Sequence, residues 1–107
     1  MTSVESQTLA LSPDDGDSVT VRYLVAGEGP PAVLVHGIGL DAATVSWKHT
    51  IPALAGDRTV YALDLPGHGD SDKPRRRYTT DYFRDVLAAF HNDLGLEGAP
   101  LVGGSVG

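Results

Sequence analysis

Hydrophobic and polar residues change their rhythm part-way along the chain. From Asp17 to Val25 they alternate, with Val19, Val21, Tyr23 and Val25 on one face and Thr20, Arg22 and Leu24 on the other. A period of two is that of a β-strand with one covered face, the pattern of an antiparallel edge. Gln7 to Leu11 reads as its partner, and Ser12-Pro13-Asp14-Asp15-Gly16 between them is turn chemistry that suits a hairpin. The alternation then gives way to short continuous apolar runs. Ala32-Val33-Leu34-Val35 and Val60-Tyr61-Ala62-Leu63 are followed by the shorter Pro100-Leu101-Val102. Such runs predict strands buried on both faces of a parallel sheet.

Two helical segments separate the runs. One spans Ala43 to Leu54 and is interrupted or restarted at Pro52. The other, from about Asp81 to Leu94, repeats Phe83, Val86, Leu87, Phe90 and Leu94 at three- and four-residue steps. Thr79 or Thr80 supplies its N-cap, Asp81 sits in its first turn and Gly95 stops it. The order hairpin, strand, helix, strand, helix, strand predicts an α/β fold. Its sheet is mostly parallel, with an antiparallel N-terminal hairpin.

Composition narrows the function classes. At 107 residues the chain is the size of one small domain, and 41% hydrophobic residues suffice for a core. The net charge of −6 disfavours nucleic acid or an anionic membrane as partner, because phosphate recognition needs a basic surface. Arg75-Arg76-Arg77, after Lys73-Pro74, reads as solvated loop. The absence of cysteine excludes disulfides and thiolate metal sites. No signal-like start and no apolar run near the roughly 20 residues of a membrane helix are visible, so a soluble cytoplasmic protein is expected.

In open parallel sheets chemistry gathers at the carboxyl ends of the strands, and here each buried strand ends in a glycine-rich segment. The last, Gly103-Gly104-Ser105-Val106-Gly107, fits G-x-S-x-G. Glycines two residues either side of the serine relieve the crowding of a tight strand-to-helix turn, so Ser105 is the candidate nucleophile. The first, His36-Gly37-Ile38-Gly39, supplies what such a serine lacks. Backbone N–H groups stabilise the oxyanion formed on an attacked acyl carbon. The Ile38 N–H and that of Val106, the residue after the serine, are the expected donors. His36 reads as a histidine that braces its loop.

The middle segment, Asp64-Leu65-Pro66-Gly67-His68-Gly69-Asp70-Ser71-Asp72, resembles the loop after the fourth strand of α/β-hydrolases. The His-Gly turn upstream and the serine elbow downstream, at intervals of about 30 and 40 residues, strengthen that resemblance. Trp47 and Ile51-Pro52-Ala53-Leu54 are similar to the family's first helix, and the likeness runs from about Val19 to Gly107. The family members most similar in look are esterases, enol-lactonases and carbon–carbon bond hydrolases of meta-cleavage products. The resemblance implies that the strand after Ala99 lies parallel beside Ala32–Val35, with the Arg58–Asp64 strand on the other side. It also implies a serine hydrolase that acts on an ester, lactone or related carbonyl substrate through an acyl-enzyme at Ser105. His68 is expected to be structural or to sit at the site's rim. Neither metal nor cofactor is expected, since acyl transfer through serine requires neither.

The family's triad runs serine, acid, histidine along the chain. His36, His49, His68 and His91 all precede Ser105. Residues 1–107 therefore read as the N-terminal part of a single α/β-hydrolase domain, inactive alone and prone to self-associate through the open edge of the strand around Leu101. One alternative is a dinucleotide-binding module. Gly37-Ile38-Gly39-Leu40-Asp41-Ala42 matches G-x-G-x-x-G/A after a strand, and Asp64 stands where a ribose-binding acid would. It leaves His36, the 64–72 loop and the serine elbow unexplained. A non-catalytic binding protein on a hydrolase scaffold is the other alternative. A P-loop is excluded, because no Gly-Lys-Ser/Thr follows any glycine run.

Overall fold

The computed structural model describes residues 4–12, 18–35, 50–73, 79–96, 98–99 and 101–103. Their elements are strands β1 (Val4–Leu11), β2 (Val19–Ala26) and β3 (Pro31–Val35), helix α1 (Thr50–Leu54), strand β4 (Thr59–Leu63), helix α2 (Thr80–Asp93) and strand β5 (Leu101–Gly103). The strands pair in the order β1-β2-β4-β3-β5. β3 is parallel to β4 on one side and to β5 on the other, with Val35 opposite both Leu63 and Gly103. This is the arrangement the family resemblance implied. The N-terminal hairpin is antiparallel, and its second strand joins the parallel set antiparallel to β4.

One expectation is corrected. β2 is an inner strand, and the outer strand on that side is β1. Alternation holds through Val19, Val21 and Tyr23, but beyond that point Leu24 and Ala26 are buried as well. They pack on the opposite face with Ile51 and Ala55, while Val25 packs against the first face. Only the half of β2 that pairs with β4 needs cover on both sides, so Leu24 on the polar face was the sign of an inner strand. β1 begins at Val4, before the Gln7 expected; its first five residues are exposed, and four polar residues separate Val4 from the next hydrophobic one, Leu9.

The helices lie on opposite faces of the sheet. The α2 side holds Val21, Tyr23, Val33, Val35 and Leu63, packed with Phe83, Val86 and Phe90. Phe90 is 0% exposed and meets the Tyr23 ring edge-on at 5.3 Å between centroids. The α1 side holds Leu24, Leu34, Val60 and Ala62. The part of the first expected helix before Thr50 lies outside the described residues.

Both ends of α2 follow from local chemistry. Thr79 is the N-cap, its Oγ1 accepting from the Tyr82 N–H at 3.0 Å. At the other end Gly95 takes the left-handed conformation, φ +66°, open to glycine without strain. Its N–H donates to the Asn92 carbonyl at 3.2 Å, and the Leu96 N–H donates to the His91 carbonyl at 2.8 Å. These are the two bonds of a Schellman closure. They turn the chain so that Leu96 is buried in the same cluster as Phe90.

Replacing Phe90 by Ala should cost about 3–5 kcal/mol of unfolding free energy, and Thr79→Ala about 1 kcal/mol. Denaturant titration of both variants of the complete protein tests this, with the larger loss expected at Phe90.

Candidate functional site

Because β3, β4 and β5 are parallel and in register, their carboxyl ends at Val35, Leu63 and Gly103 lie side by side. The three strands that precede the glycine-rich motifs therefore end together at the carboxyl end of the sheet. Ser105 and Val106, Ile38 with His36 and Gly37–Ala42, and also Trp47, His49 and Arg75–Arg77, lie outside the described residues. The middle motif, 64–72, is described throughout.

Its shape follows from a mismatch in strand length. β2 pairs with β4 only from Tyr23, opposite Leu63, to Ala26, so Val19–Arg22 run past the end of β4. Their backbone groups on that side still need partners. The 64–72 loop folds back to provide them. The Asp64 N–H donates to the Arg22 carbonyl at 2.8 Å, and the Arg22 N–H donates to Ser71 Oγ at 2.8 Å. Two residues earlier on β2, the Asp72 N–H donates to the Thr20 carbonyl at 2.8 Å, and Asp72 Oδ2 accepts from the Thr20 N–H at 2.9 Å. Ser71 and Asp72 thus act as the next rungs of β4.

The Arg22 side chain locks this loop from within. Its Nη2 and Nε lie 2.7 and 2.9 Å from Asp64 Oδ2, and the Asp64 side chain is 0% exposed. The same carboxylate oxygen accepts from the Asp70 N–H at 3.0 Å, and Arg22 Nη1 approaches Asp70 Oδ2 at 3.3 Å. Ser71 Oγ donates to the Asp64 carbonyl. Gly69 has φ +52°, and a Cβ there would occupy the space of the Asp64 carboxylate. Close approach to a buried charge is what this glycine allows.

His68 packs into the body of the loop. It is buried, with Nδ1 3.0 Å from the Pro66 carbonyl and its ring 6.3 Å from that of Phe83. Lys73 Nζ donates to the Gly69 carbonyl at 2.7 Å and closes the loop from the solvent side. The sequence placed Arg22 on the polar face of its strand and assigned it nothing. The available signal was a lone arginine among valines, facing a neighbour strand that ends in aspartate.

The pairing weighs against the dinucleotide alternative. An acid that binds a ribose must project into the cleft, whereas the Asp64 carboxylate is buried on Arg22. Among the described residues no group of three or more His, Asp or Glu is spaced to hold a metal ion. None of the described helices is long and apolar enough to cross a membrane. A groove of about 530 Å³ between β1 and α2, lined by Ala10, Ser12, Asp85, Ala88 and Asn92 among others, includes no residue of the three motifs. Behind the loop, Tyr23 lies 6.2 Å from Tyr61 between ring centroids. Burial, and secondarily the neighbouring Tyr61, push the Tyr23 hydroxyl above the usual tyrosine range.

The sequence matches the alpha/beta hydrolase fold family over residues 30–107. The chain belongs to that family. It is 44% identical over 86 residues to the dihydrolipoyllysine-residue acetyltransferase component of the acetoin cleaving system of Pseudomonas putida, covering 79% of this chain and 23% of that protein. It is 40% identical over 91 residues to the soluble epoxide hydrolase of Corynebacterium sp. (strain C12), covering 80% of this chain and 31% of the relative. The crystal structure of a meta-cleavage product hydrolase superposes with a TM-score of 0.84 at 33% identity, covering 94% of this chain and 36% of that one. The chain thus spans about a quarter to a third of the length of these relatives.

Arg22→Ala should destabilise the protein by about 3–5 kcal/mol, because it leaves a buried carboxylate without its cation. Thermal or denaturant unfolding tests it. The Tyr23 contribution has a definite sign with pH. Its raised folded-state pKa keeps that stability intact below pH of about 10 and removes it as pH climbs past that value. Tyr23→Phe should therefore blunt the loss of stability between neutral and strongly alkaline pH, read from unfolding curves across that range.

Proposed function

We propose that this chain carries the nucleophile and oxyanion side of a serine hydrolase acting on an ester, lactone or related carbonyl substrate. The observation that carries the reading is the run Gly103-Gly104-Ser105-Val106-Gly107. It starts on β5, beside the strand whose carboxyl end leads into His36-Gly37-Ile38-Gly39. In this reading Ser105 Oγ attacks the carbonyl carbon and a histidine takes its proton. The carbonyl electron pair becomes an oxyanion held by the Ile38 and Val106 N–H groups. Collapse expels the alcohol, protonated by the same histidine, and water then cleaves the acyl-serine. The acid and histidine are proposed to lie in the further length that the relatives possess, making 1–107 the N-terminal part of a single hydrolase domain.

Serine at the elbow favours a carbonyl substrate over an epoxide, although an epoxide hydrolase is among the relatives. Attack on an acyl carbon gives an ester, which water can cleave; attack on an epoxide would give an ether, which it cannot at neutral pH.

In the complete enzyme, Ser105→Ala should lower kcat on the order of 10⁶-fold, and loss of one oxyanion donor by about 10²–10³. A fluorophosphonate probe should label the complete enzyme at Ser105 and leave residues 1–107 alone unlabelled, because a serine without a positioned base is a weak nucleophile. Rapid labelling of 1–107 would mean that one of the four preceding histidines serves as the base.

A further inference from the structure

We propose that Arg22 is a positioning residue for this reaction, acting through Asp64; the proposal rests on the serine-hydrolase reading of Ser105. Arg22 lies on β2, two strands away from β3, yet it holds the loop at both ends. Its side chain binds Asp64 and reaches Asp70, and its N–H binds Ser71. Asp64 directly follows Leu63, and Leu63 is the register partner of Val35, the last residue before His36-Gly37-Ile38-Gly39. Leu65, the next residue, is buried in the same cluster as Val35. Whatever fixes Asp64 therefore fixes the wall beside which β3 releases the chain toward the proposed oxyanion donor.

Stability alone does not call for an ion pair here. A buried pair loses the hydration of both charges, and an apolar pair of similar volume often serves the fold as well. What the charged pair adds is direction. The planar guanidinium presents Nε and Nη2, 2.9 and 2.7 Å away, to Asp64 Oδ2, which the Asp70 N–H also reaches, so that oxygen is pinned from two elements at once. An oxyanion donor is worth about 10²–10³ in rate only when its N–H is aimed at the developing charge. A small displacement of Asp64 and Leu65, beside the point where β3 ends at Val35, should forfeit part of that factor.

The test uses the complete enzyme and a p-nitrophenyl ester, with kcat, KM and melting temperature measured for Arg22→Lys, Arg22→Met and the double variant Arg22→Met/Asp64→Leu. Arg22→Met should lower kcat by roughly 10–100-fold well below its melting temperature, with KM changed by less than about threefold. The double variant should regain part of the melting temperature that Arg22→Met loses, since the Asp70 N–H still lacks its acceptor, without regaining kcat. Arg22→Lys, which keeps the charge and loses the fork, should fall between. A double variant that recovers both properties would make the pair purely structural and overturn the proposal. Should the double variant not fold, Arg22→Lys decides, since wild-type kcat in that folded protein overturns the proposal equally. Ser105→Ala run alongside separates the two levels. Full turnover without Ser105 would defeat the serine-hydrolase reading, whereas loss of turnover there with normal kcat in folded Arg22 variants would defeat only the role of Arg22.

Discussion

A strand that outruns its neighbour leaves backbone donors and acceptors facing a gap, and buried peptide groups must find partners. β2 extends past β4 by Val19–Arg22, and the 64–72 loop is the chain's solution. Ser71 and Asp72 stand in for the missing rungs, while the Arg22–Asp64 pair anchors the loop from its inner side. One geometric constraint thus selects a hydroxyl at 71, a carboxylate at 72, a buried acid at 64 and a glycine at 69. The motif that looked like a family signature in the sequence is, residue by residue, a way to finish a sheet.

The consequence reaches the carboxyl end of the parallel strands. Val35, Leu63 and Gly103 are register neighbours, so the loop after β4 borders the exit of β3, and β3 separates it from the exit of β5. A mobile loop there would leave the carboxyl end of β3 without a fixed neighbour at Asp64. The buried ion pair offers orientation more than net stability, since its hydration cost offsets much of its attraction. Fixed orientation is what a site that relies on aimed backbone dipoles requires.

Much of this architecture was legible because the physics behind it is local. The three- and four-residue steps of Phe83, Val86, Leu87 and Phe90 located α2, and Thr79 and Gly95 marked its ends within a residue. The continuous runs at 32–35 and 60–63 announced strands covered on both faces. What escaped was non-local. Nothing within five residues of Arg22 reveals that Asp64, 42 positions away, will be its partner. The inner position of β2 was likewise hidden, since Val19, Val21 and Tyr23 alternate as an edge strand would and only Leu24 and Ala26 depart from that pattern. Tyr82 was missed as a core residue because its hydroxyl disguises a buried ring. For the candidate site, motif spacing named Ser105, Ile38 and Val106, whereas the framework at the ends of β3 and β4 had to come from tertiary pairing.

The central claim is that the 64–72 loop belongs to the rigid framework of the sheet. Amide hydrogen exchange on the complete protein tests it most directly, at the N–H groups of Gly67, Asp70 and Asp72, bonded to the Asp72 carbonyl, Asp64 Oδ2 and the Thr20 carbonyl. Groups that open only with the core exchange at rates set by global unfolding, whereas surface loops exchange through small local openings. The account predicts protection at these three amides within about tenfold of the central β4 amides. Exchange at rates near those of an unstructured peptide, with β4 still protected, would contradict it.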